Sequence, residues 1–204
     1  MFIPKLYRNT DFQEIERLIR DNGFATLVRN INGVPTASHI PLELELNQAG
    51  EQVLTGHVSR ANSLGKNIDP NSEALAIFTG AHSYISSSWY DHINVPTWNY
   101  IAVHVYGTLR ILEGDELMHA IGRLVDRYEK HSAKPVSLDS MGRDYVRKEM
   151  HGLIGFEMTI NRVEGAWKLS QNRDHKNKLN IVAELEKLND LNANEIANEM
   201  KKNL

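Results

Sequence analysis

Three stretches of this sequence combine residue types that could bind a ligand. The first is Gly56-His57-Val58-Ser59-Arg60-Ala61-Asn62, where a predicted strand opens into a turn. A serine hydroxyl, a guanidinium and exposed backbone N–H groups suit a phosphate dianion, because charge-assisted hydrogen bonds can form there. A plain polar turn with a solvent-facing arginine would use the same residues, so this segment alone leaves both interpretations open.

The second and third stretches are aromatic and basic. Trp89, Tyr90, Trp98 and Tyr100 lie close together in the sequence among serine, threonine and asparagine residues. Aromatic faces beside small polar groups suit a flat heterocycle or a protein interface, and core packing is the alternative. The polar run 168–173 follows an apolar segment and could either cap a helix or complete an anionic site.

Other chemistries find little support in the sequence. The five histidines His39, His57, His82, His92 and His104 lie in separate segments without the His-x3-His spacing of a helical metal site. The serines 86–88 lack a nucleophile-elbow context, and neither a P-loop nor a Gly-x-Gly-x-x-Gly pattern occurs. We therefore expect no metal, and the sequence identifies no catalytic residue.

Composition narrows the class of protein. The chain has 204 residues, 41% of them hydrophobic, a formal net charge of −3 and no cysteine. These values predict a globular protein without disulfides, and they give no general electrostatic attraction to nucleic acid. No apolar run approaches the roughly 18 residues of a membrane span, and no leader pattern is visible, so we expect a cytoplasmic protein without membrane contact.

The elements that must position these residues alternate mainly with a period of two. A helix is predicted from Phe12 to Gly23, and an Asn32-Gly33 turn predicts a hairpin of residues 24–31 and 34–46. Further strands are predicted over 53–59, 74–79 and 98–112, helices from 115 and over 143–150, and a final hairpin over 153–169. This order favours an α+β protein with an antiparallel sheet or barrel over a βαβ architecture.

The end of the chain is predicted to be helical. Ile181, Val182, Leu185 and Leu188 form one apolar stripe, and Ile196 and Met200 another. The expected organisation is one domain over residues 1–175 and a helical extension over 176–204 that packs on the same domain.

The sequence resembles the PaiB-type FMN-binding negative transcriptional regulators, a branch of the flavin split-barrel superfamily that includes pyridoxamine-phosphate oxidases. The resemblance runs over nearly the whole chain and rests on several ordered motifs. They are Phe2-Ile3-Pro4, Ser38-His39-Ile40-Pro41-Leu42, Gly56 to Asn62, Ala76-Ile77-Phe78-Thr79-Gly80, His82-Ser83-Tyr84-Ile85-Ser86, Ser88-Trp89-Tyr90, Val95-Pro96-Thr97-Trp98-Asn99-Tyr100, Gly155-Phe156-Glu157 and Lys168 to Arg173.

The resemblance implies a six-stranded antiparallel split barrel that forms a homodimer with FMN between the subunits. Ser59 and Arg60, helped by Ala61 and Asn62, would hold the FMN phosphate. The strand His39-Ile40-Pro41-Leu42 would run along the flavin ring, with His57 near it. The Trp98-Asn99 pair and the segment from Gln171 to Arg173 would close the cleft, from the partner subunit.

Two function classes follow from the resemblance. The family name implies a flavin-binding regulator that represses gene expression, directly or through a partner. The related oxidases imply an FMN-dependent oxidoreductase or flavin reductase instead, and a flavin-free structural dimer is a third option. No basic recognition helix is visible, so contact with nucleic acid is possible but unsupported by charge or motif.

Overall fold

The computed structural model describes residues 1–202 and residue 204. Its strands are β1 (Arg8–Asn9), β2 (Phe24–Ile31), β3 (Val34–Leu46), β4 (Gln52–Ser59), β5 (Glu73–Ile85), β6 (Thr97–Leu112), β7 (Leu153–Thr159) and β8 (Arg162–Lys168). Its helices are α1 (Phe12–Asp21), α2 (Gly114–Glu129), α3 (Leu138–Met141), α4 (Arg143–Met150), α5 (His175–Lys187) and α6 (Leu191–Lys201). No helix within these described residues is long and apolar enough to cross a membrane.

The strands pair in the order β1-β8-β6-β5-β2-β3-β4-β7, and an additional pairing joins β7 to β6. The pairing order therefore closes through the six strands β2 to β7, as expected for a six-stranded barrel, while β1 and β8 bring the count to eight. The β2–β3, β2–β5, β3–β4, β4–β7 and β6–β7 pairs are antiparallel. The expected α+β class with a mainly antiparallel sheet is confirmed.

One predicted pairing is wrong. The segment 153–169 contains two strands, but β7 and β8 do not form a hairpin; in the sheet order both lie beside β6. The 16-residue strand β6 offers backbone donors and acceptors to more than one neighbour. Pairing with a strand distant in sequence therefore replaces the local hairpin that the short connection suggested.

The β2–β3 hairpin forms as predicted. Asn32 and Gly33 both have positive φ, 54° and 84°, which is the backbone twist that a two-residue hairpin turn requires. The turn sets the register, so that Thr26 lies opposite His39 and Phe24 opposite Pro41. This register decides which side chains of β2 stand beside the predicted flavin strand.

The chain forms two compact units that interleave along the sequence. The first comprises residues 1–18, 78–104 and 164–204, and the second comprises residues 19–77 and 105–163. The predicted division between residues 175 and 176 remains a prediction.

The second unit contains strands β2, β3, β4 and β7, parts of β5 and β6, and helices α2 to α4. Its core consists of fully buried aliphatic and aromatic side chains, among them Leu27, Leu42, Leu54, Phe156 and Met158. At Gly107 the strands approach so closely that a Cβ would lie 1.6 Å from the carbonyl oxygen of Thr159. Only glycine fits at that position of β6.

The first unit contains the two C-terminal helices. Asp190 caps α6 by accepting a hydrogen bond from the backbone N–H of Ala193 at 2.8 Å. The predicted stripes are confirmed at Ile181, Leu185 and Ile196, which are completely buried, whereas Leu188 is 41% exposed. Burial of these aliphatic side chains holds α5 and α6 in place through the hydrophobic effect.

Candidate functional site

A cavity of about 600 Å³ in the second unit collects many of the predicted site residues. Its size falls in the range of roughly 300–1,000 Å³ that small-molecule and cofactor sites occupy. The lining comes from three segments: the middle of β3, the end of β4 with its following turn, and the connection from α4 to β7. The lining residues are Ser38, His39, Ile40, Pro41, His57, Val58, Ser59, Asn62, Glu149, Gly152 and Leu153.

His39 is oriented by β2. Its Nδ1 lies 2.9 Å from the hydroxyl of Thr26, its cross-strand neighbour, and its ring stacks on Phe24 with centroids 6.3 Å apart. Both rings are exposed, and Phe24 is 69% exposed. Leu42 differs from its predicted companions on β3, because its side chain is buried in the core and does not line the cavity. The β3 contribution to the site is therefore His39 to Pro41.

His57 lies where this cavity approaches helix α2. Burial lowers the pKa of its imidazole, and its buried Nδ1 has no hydrogen-bond partner among the described residues. A second, much smaller cavity places His57 near Glu43 and near Leu124 of α2. Burial therefore favours the neutral form of this imidazole.

Helix α2 is attached above His57 by ion pairs to strand β3. Arg127 donates a hydrogen bond to the Glu43 carboxylate, and Arg123 binds both carboxylate oxygens of Glu45 at 2.5 and 2.6 Å. Burial raises the pKa of Glu43, and Arg127 beside it works in the opposite direction. These pairs position the helix over the sheet, which supplies the partial burial of His57.

The turn after β4 is held by its own polar groups. The Ser59 hydroxyl accepts a hydrogen bond from the N–H of Ala61 at 3.3 Å. The Asn62 amide donates to the Ser38 hydroxyl at 2.9 Å, and its oxygen accepts from the N–H of Leu64. The turn therefore joins β3 to β4 at the cavity wall, and Ser59 and Asn62 stand together there as predicted.

Arg60 has a second role that the sequence did not reveal. Its Nε donates to the carbonyl of His151 at 2.7 Å, and its Nη2 donates to the carbonyl of Leu153 at 2.9 Å. Its own N–H donates to the carbonyl of Gly152 at 2.8 Å. Since a guanidinium carries five N–H donors, three remain for an anion beside Ser59. Arg60 thus secures the α4–β7 connection and still presents a fixed positive charge.

The remaining predicted site residues belong to the first unit. Trp98 is 53% exposed and contacts the rings of His82 and Tyr84 at centroid distances of 6.1 and 5.9 Å. Asn99 is completely buried: its oxygen accepts from the Ser170 hydroxyl at 3.1 Å, and its amide contacts Met200 Sδ at 3.4 Å. Trp98 is available to a partner, whereas Asn99 is enclosed in its own unit.

Gln171 and Arg173 lie in the loop before α5. The Gln171 side chain accepts from the N–H of Leu169 at 2.8 Å and donates to the carbonyl of Trp167, so both ends of its amide serve the loop. The Arg173 guanidinium lies 5.1 Å from the ring centroid of Tyr90. Burial lowers the pKa of nearby Lys168, and the positive charge of Arg173 adds to this effect. Lys168 at the end of β8 and Arg173 in the loop therefore form a pair of nearby cations, with no carboxylate in the sequence between them.

The sequence reasoning missed Glu149, Gly152 and Leu153 of the cavity lining. Their place depends on the β4–β7 pairing, in which Ser59 lies opposite Leu153, and no local pattern signals a pairing across that distance in the sequence. Thr26 and Phe24 were also missed, although the register set by the Asn32-Gly33 turn contained that information. Within residues 1–202 and 204, no group of three or more potential metal ligands occurs.

The geometry of the cavity is compatible with a flavin mononucleotide. Ser59 and the three unused N–H donors of Arg60 could bind a phosphate, and the segment His39 to Pro41 offers a surface for a planar ring. The side chain of His57 belongs to the same wall, and its unpartnered Nδ1 is buried. Glu149 is the one carboxylate in the lining, and it repels a phosphate placed near it.

Comparisons with known proteins identify the family. Residues 1–162 match the family described as "Putative FMN-binding domain". The chain is 36% identical over 204 residues to the Bacillus subtilis "Protease synthase and sporulation protein PAI 2", covering 100% of this chain and 98% of that protein. An uncharacterized protein of Emericella nidulans is 24% identical over 229 residues, covering 92% of this chain and 91% of its own.

A solved structure shares the fold. The FAD and heme binding protein from Mycobacterium smegmatis matches with a TM-score of 0.62 at 16% identity, over 85% of this chain and 78% of that one. At that identity the likeness concerns the fold alone. Together with the family match over most of the sequence, it confirms the expected split-barrel fold and FMN as the expected cofactor. This chain belongs to the FMN-binding family of split-barrel proteins.

Proposed function

We propose that this protein is an FMN-binding negative transcriptional regulator of the PaiB type. The observation that carries the proposal is the cavity beside β3 and β4, which Ser59 and His57 line together with the strand segment His39 to Pro41. Arg60 is not a lining residue, but it follows Ser59 directly and bonds the carbonyl of Leu153, which does line the cavity. Full-length similarity to a protein named for protease synthesis and sporulation, and not for an oxidised substrate, favours a regulator over an FMN-dependent oxidoreductase.

The residues of the cavity divide the work of binding FMN. Ser59, Arg60, Ala61 and Asn62 would hold the phosphate, with Arg60 contributing a permanent charge and a planar set of donors. His39, Ile40, Pro41 and His57 would contact the ring system, and Leu42 would support this strand from the core. Bound flavin supplies a two-electron redox centre, and the chain's own groups orient it and exclude water from one face.

We further propose a homodimer in which the first unit of one subunit serves the cavity of its partner. Trp98 with His82 and Tyr84 forms an exposed aromatic cluster, and such clusters are enriched in protein interfaces. Trp98, Gln171 and Arg173 would approach the flavin from the partner subunit, while Asn99 would support Trp98 from inside. The proposed location is the cytoplasm.

Repression does not require this chain to contact DNA directly. The formal net charge of −3 gives no general attraction to a polyanion, so a protein partner is an equally suitable route. The site then acts as a receptor whose occupancy by FMN, or whose redox state, sets the availability of a surface for that partner.

Three measurements test the proposal. Freshly purified protein should show flavin absorbance near ~370 and ~450 nm, and sedimentation should give a dimer. A chromosomal deletion should raise expression of a target promoter, and the wild-type gene should restore repression while the Arg60→Ala variant should not. Rapid NAD(P)H-driven turnover of the bound flavin, with no change in expression on deletion, would instead assign an oxidoreductase.

A further inference from the structure

A second cavity, of about 540 Å³, lies in the helical part of the second unit. It is bounded by one face of α2, by the start of α3 and by one face of α4. Its lining residues are Met118, His119, Gly122, Arg123, Asp126, Ser137, Leu138, Asp139, Arg143, Val146 and Arg147. None of these residues belongs to the proposed FMN site, and the proposed function makes no use of them.

Local sequence features position the helices that border this cavity, which we call the helical cleft. The Ser137 and Ser140 side chains form a reciprocal capping box at the start of α3. Gly142, with φ of 85°, then turns the chain directly into α4. On α2, Gly122 lies close to Leu138, whose Cδ1 would be in ordinary contact with a Cβ at that position, 3.5 Å away. The cap of α3 and the turn at Gly142 thus set the course of the chain along one side of the cleft.

Four charged side chains of the cleft are exposed and are not paired with one another. Arg143 and Arg147 lie one turn apart on α4, and neither guanidinium has a hydrogen bond or ion pair with any residue in the described part of the chain. The same holds for the carboxylates of Asp126 on α2 and Asp139 on α3. The third arginine of the lining, Arg123, differs from the other two because it binds the carboxylate of Glu45.

The apolar residues of the lining indicate that a ligand of this cleft also needs an apolar group. Met118 and Leu138 are partly exposed to the cleft, and Val146 is buried at its base with 6% exposure. A ligand that satisfies the whole lining needs an anionic group for two arginines, a cationic group for two aspartates, and an apolar body. An anion alone would face Asp126 and Asp139 unpaired, and a cation alone would face the arginines.

We propose that the helical cleft binds a small zwitterion with an apolar side chain, that is, a molecule of the α-amino-acid class. Arg143 and Arg147 bind the carboxylate, Asp126 and Asp139 bind the ammonium group, and Met118, Leu138 and Val146 contact the side chain. This proposal does not depend on the bound flavin or on the route of repression.

Three ligands that share a phenyl group separate the contributions of the two charges. Calorimetric titration of the full-length protein with L-phenylalanine should show binding, while 3-phenylpropionate and phenethylamine, which each lack one charge, should bind at least about tenfold more weakly. Equal affinities for all three, or no heat with any of them at millimolar concentration, would overturn the proposal.

Two pairs of substitutions assign the charges to residues. Arg143→Gln with Arg147→Gln should weaken phenylalanine about tenfold or more and should not weaken phenethylamine, whose repulsion by the arginines it removes. Asp126→Asn with Asp139→Asn should weaken phenylalanine and should not weaken 3-phenylpropionate, whose repulsion by the aspartates it removes. Lys148→Gln and Asp144→Asn on α4 remove the same charges outside the cleft and serve as matched controls. Circular dichroism identifies variants that fail to fold, and full affinity in either folded double variant would refute the assignment.

Discussion

The two groups of predicted FMN residues use their polar side chains differently. Around the β3–β4 cavity, the hydroxyl of Ser59 keeps its O–H donor, and Arg60 retains three N–H donors. In the first unit, Asn99 and Gln171 direct their amides to neighbours in their own unit. The predicted site residues thus include some with hydrogen-bonding groups free for a ligand, such as Arg60. They also include others, such as Asn99, whose polar groups stabilise the surrounding structure.

This difference shows that a sequence motif for ligand binding contains both residues that contact the ligand and residues that hold those contacts in position. Trp98 is exposed and follows Thr97, whose hydroxyl accepts a hydrogen bond from Lys168 at 2.6 Å. Asn99, next along the strand, points to the opposite side and is enclosed with Ser170. Alternation along β6 therefore places a candidate contact residue and its support in adjacent positions. The following predictions separate contact residues from supporting residues.

The largest effect is expected at Arg60. Arg60→Ala removes charge-assisted hydrogen bonds to the FMN phosphate, each worth roughly 1.5–3 kcal/mol, so FMN affinity should fall on the order of 100-fold. Riboflavin, which lacks the phosphate, should keep its affinity in the folded protein. Fluorescence-quenching titrations with both flavins measure this contrast.

The control for Arg60 is Lys66→Ala, which removes an exposed positive charge a few residues away. It should change FMN affinity by less than about threefold, because an exposed charge without a direct contact is screened by salt. Equal losses for FMN and riboflavin in Arg60→Ala would show that Arg60 acts only through its bonds to the His151 and Leu153 carbonyls.

A supporting residue should lose stability instead of affinity. Asn99→Ala removes a completely buried amide from its contacts with Ser170 and Met200, which should lower the free energy of unfolding by about 1–3 kcal/mol. The FMN affinity of the folded protein should stay within about twofold. Urea unfolding and flavin titration measure both quantities, and a large loss of affinity without loss of stability would place Asn99 in the site.

A smaller loss of affinity is expected at Ser59. Ser59→Ala removes one neutral hydroxyl, worth about 0.5–1.5 kcal/mol, and should weaken FMN about three- to tenfold without affecting riboflavin. Ser63→Ala in the following turn is the matched control, because this residue is exposed and does not line the cavity. Comparable effects of the two substitutions on FMN would remove Ser59 from the phosphate site.

The smallest effect is a change in pH dependence at His57. Burial lowers the pKa of His57 in the folded state, so the unfolded state binds more protons as the pH falls through about 6.5. Stability should therefore be fully present above that pH and decline below it. His57→Gln should flatten this decline between pH 7.5 and 5.5 in urea unfolding; an unchanged slope would show that His57 is accessible to solvent in the folded protein.

The sequence predicted the positions of helices and strands better than it predicted which strands pair with each other. The Asn32-Gly33 turn determines both the hairpin and its register, and a polar turn follows β4 where one was expected. The β7–β8 hairpin was wrong, because both strands pair with β6, and the energy of that non-local pairing cannot be read from a short connection.

The residues of the β3–β4 cavity were likewise predictable only where they lie on strands that are consecutive in the sequence. Ser59 and Asn62 meet the segment His39 to Pro41 because β3 and β4 are consecutive antiparallel strands, and consecutive strands commonly pair. Glu149, Gly152 and Leu153 enter from the far side of a pairing between β4 and β7, which depends on the whole fold. The hydrogen bonds from Arg60 to the carbonyls of His151 and Leu153 were not predicted, because they also depend on the pairing of β4 with β7.

Helix α4 borders both cavities of the second unit. Arg143 and Arg147 line the helical cleft, while Glu149 and Gly152 line the cavity near Ser59. Arg60 hydrogen-bonds to the carbonyl of His151 in the connection from α4 to β7. A ligand that shifts α4 at one end changes the free energy of binding at the other, and thermodynamic linkage makes this coupling reciprocal. If an occupied cleft tightened FMN binding tenfold, then bound FMN would tighten the cleft tenfold, and the eight residues of one short helix would make the protein a detector of two ligands present together.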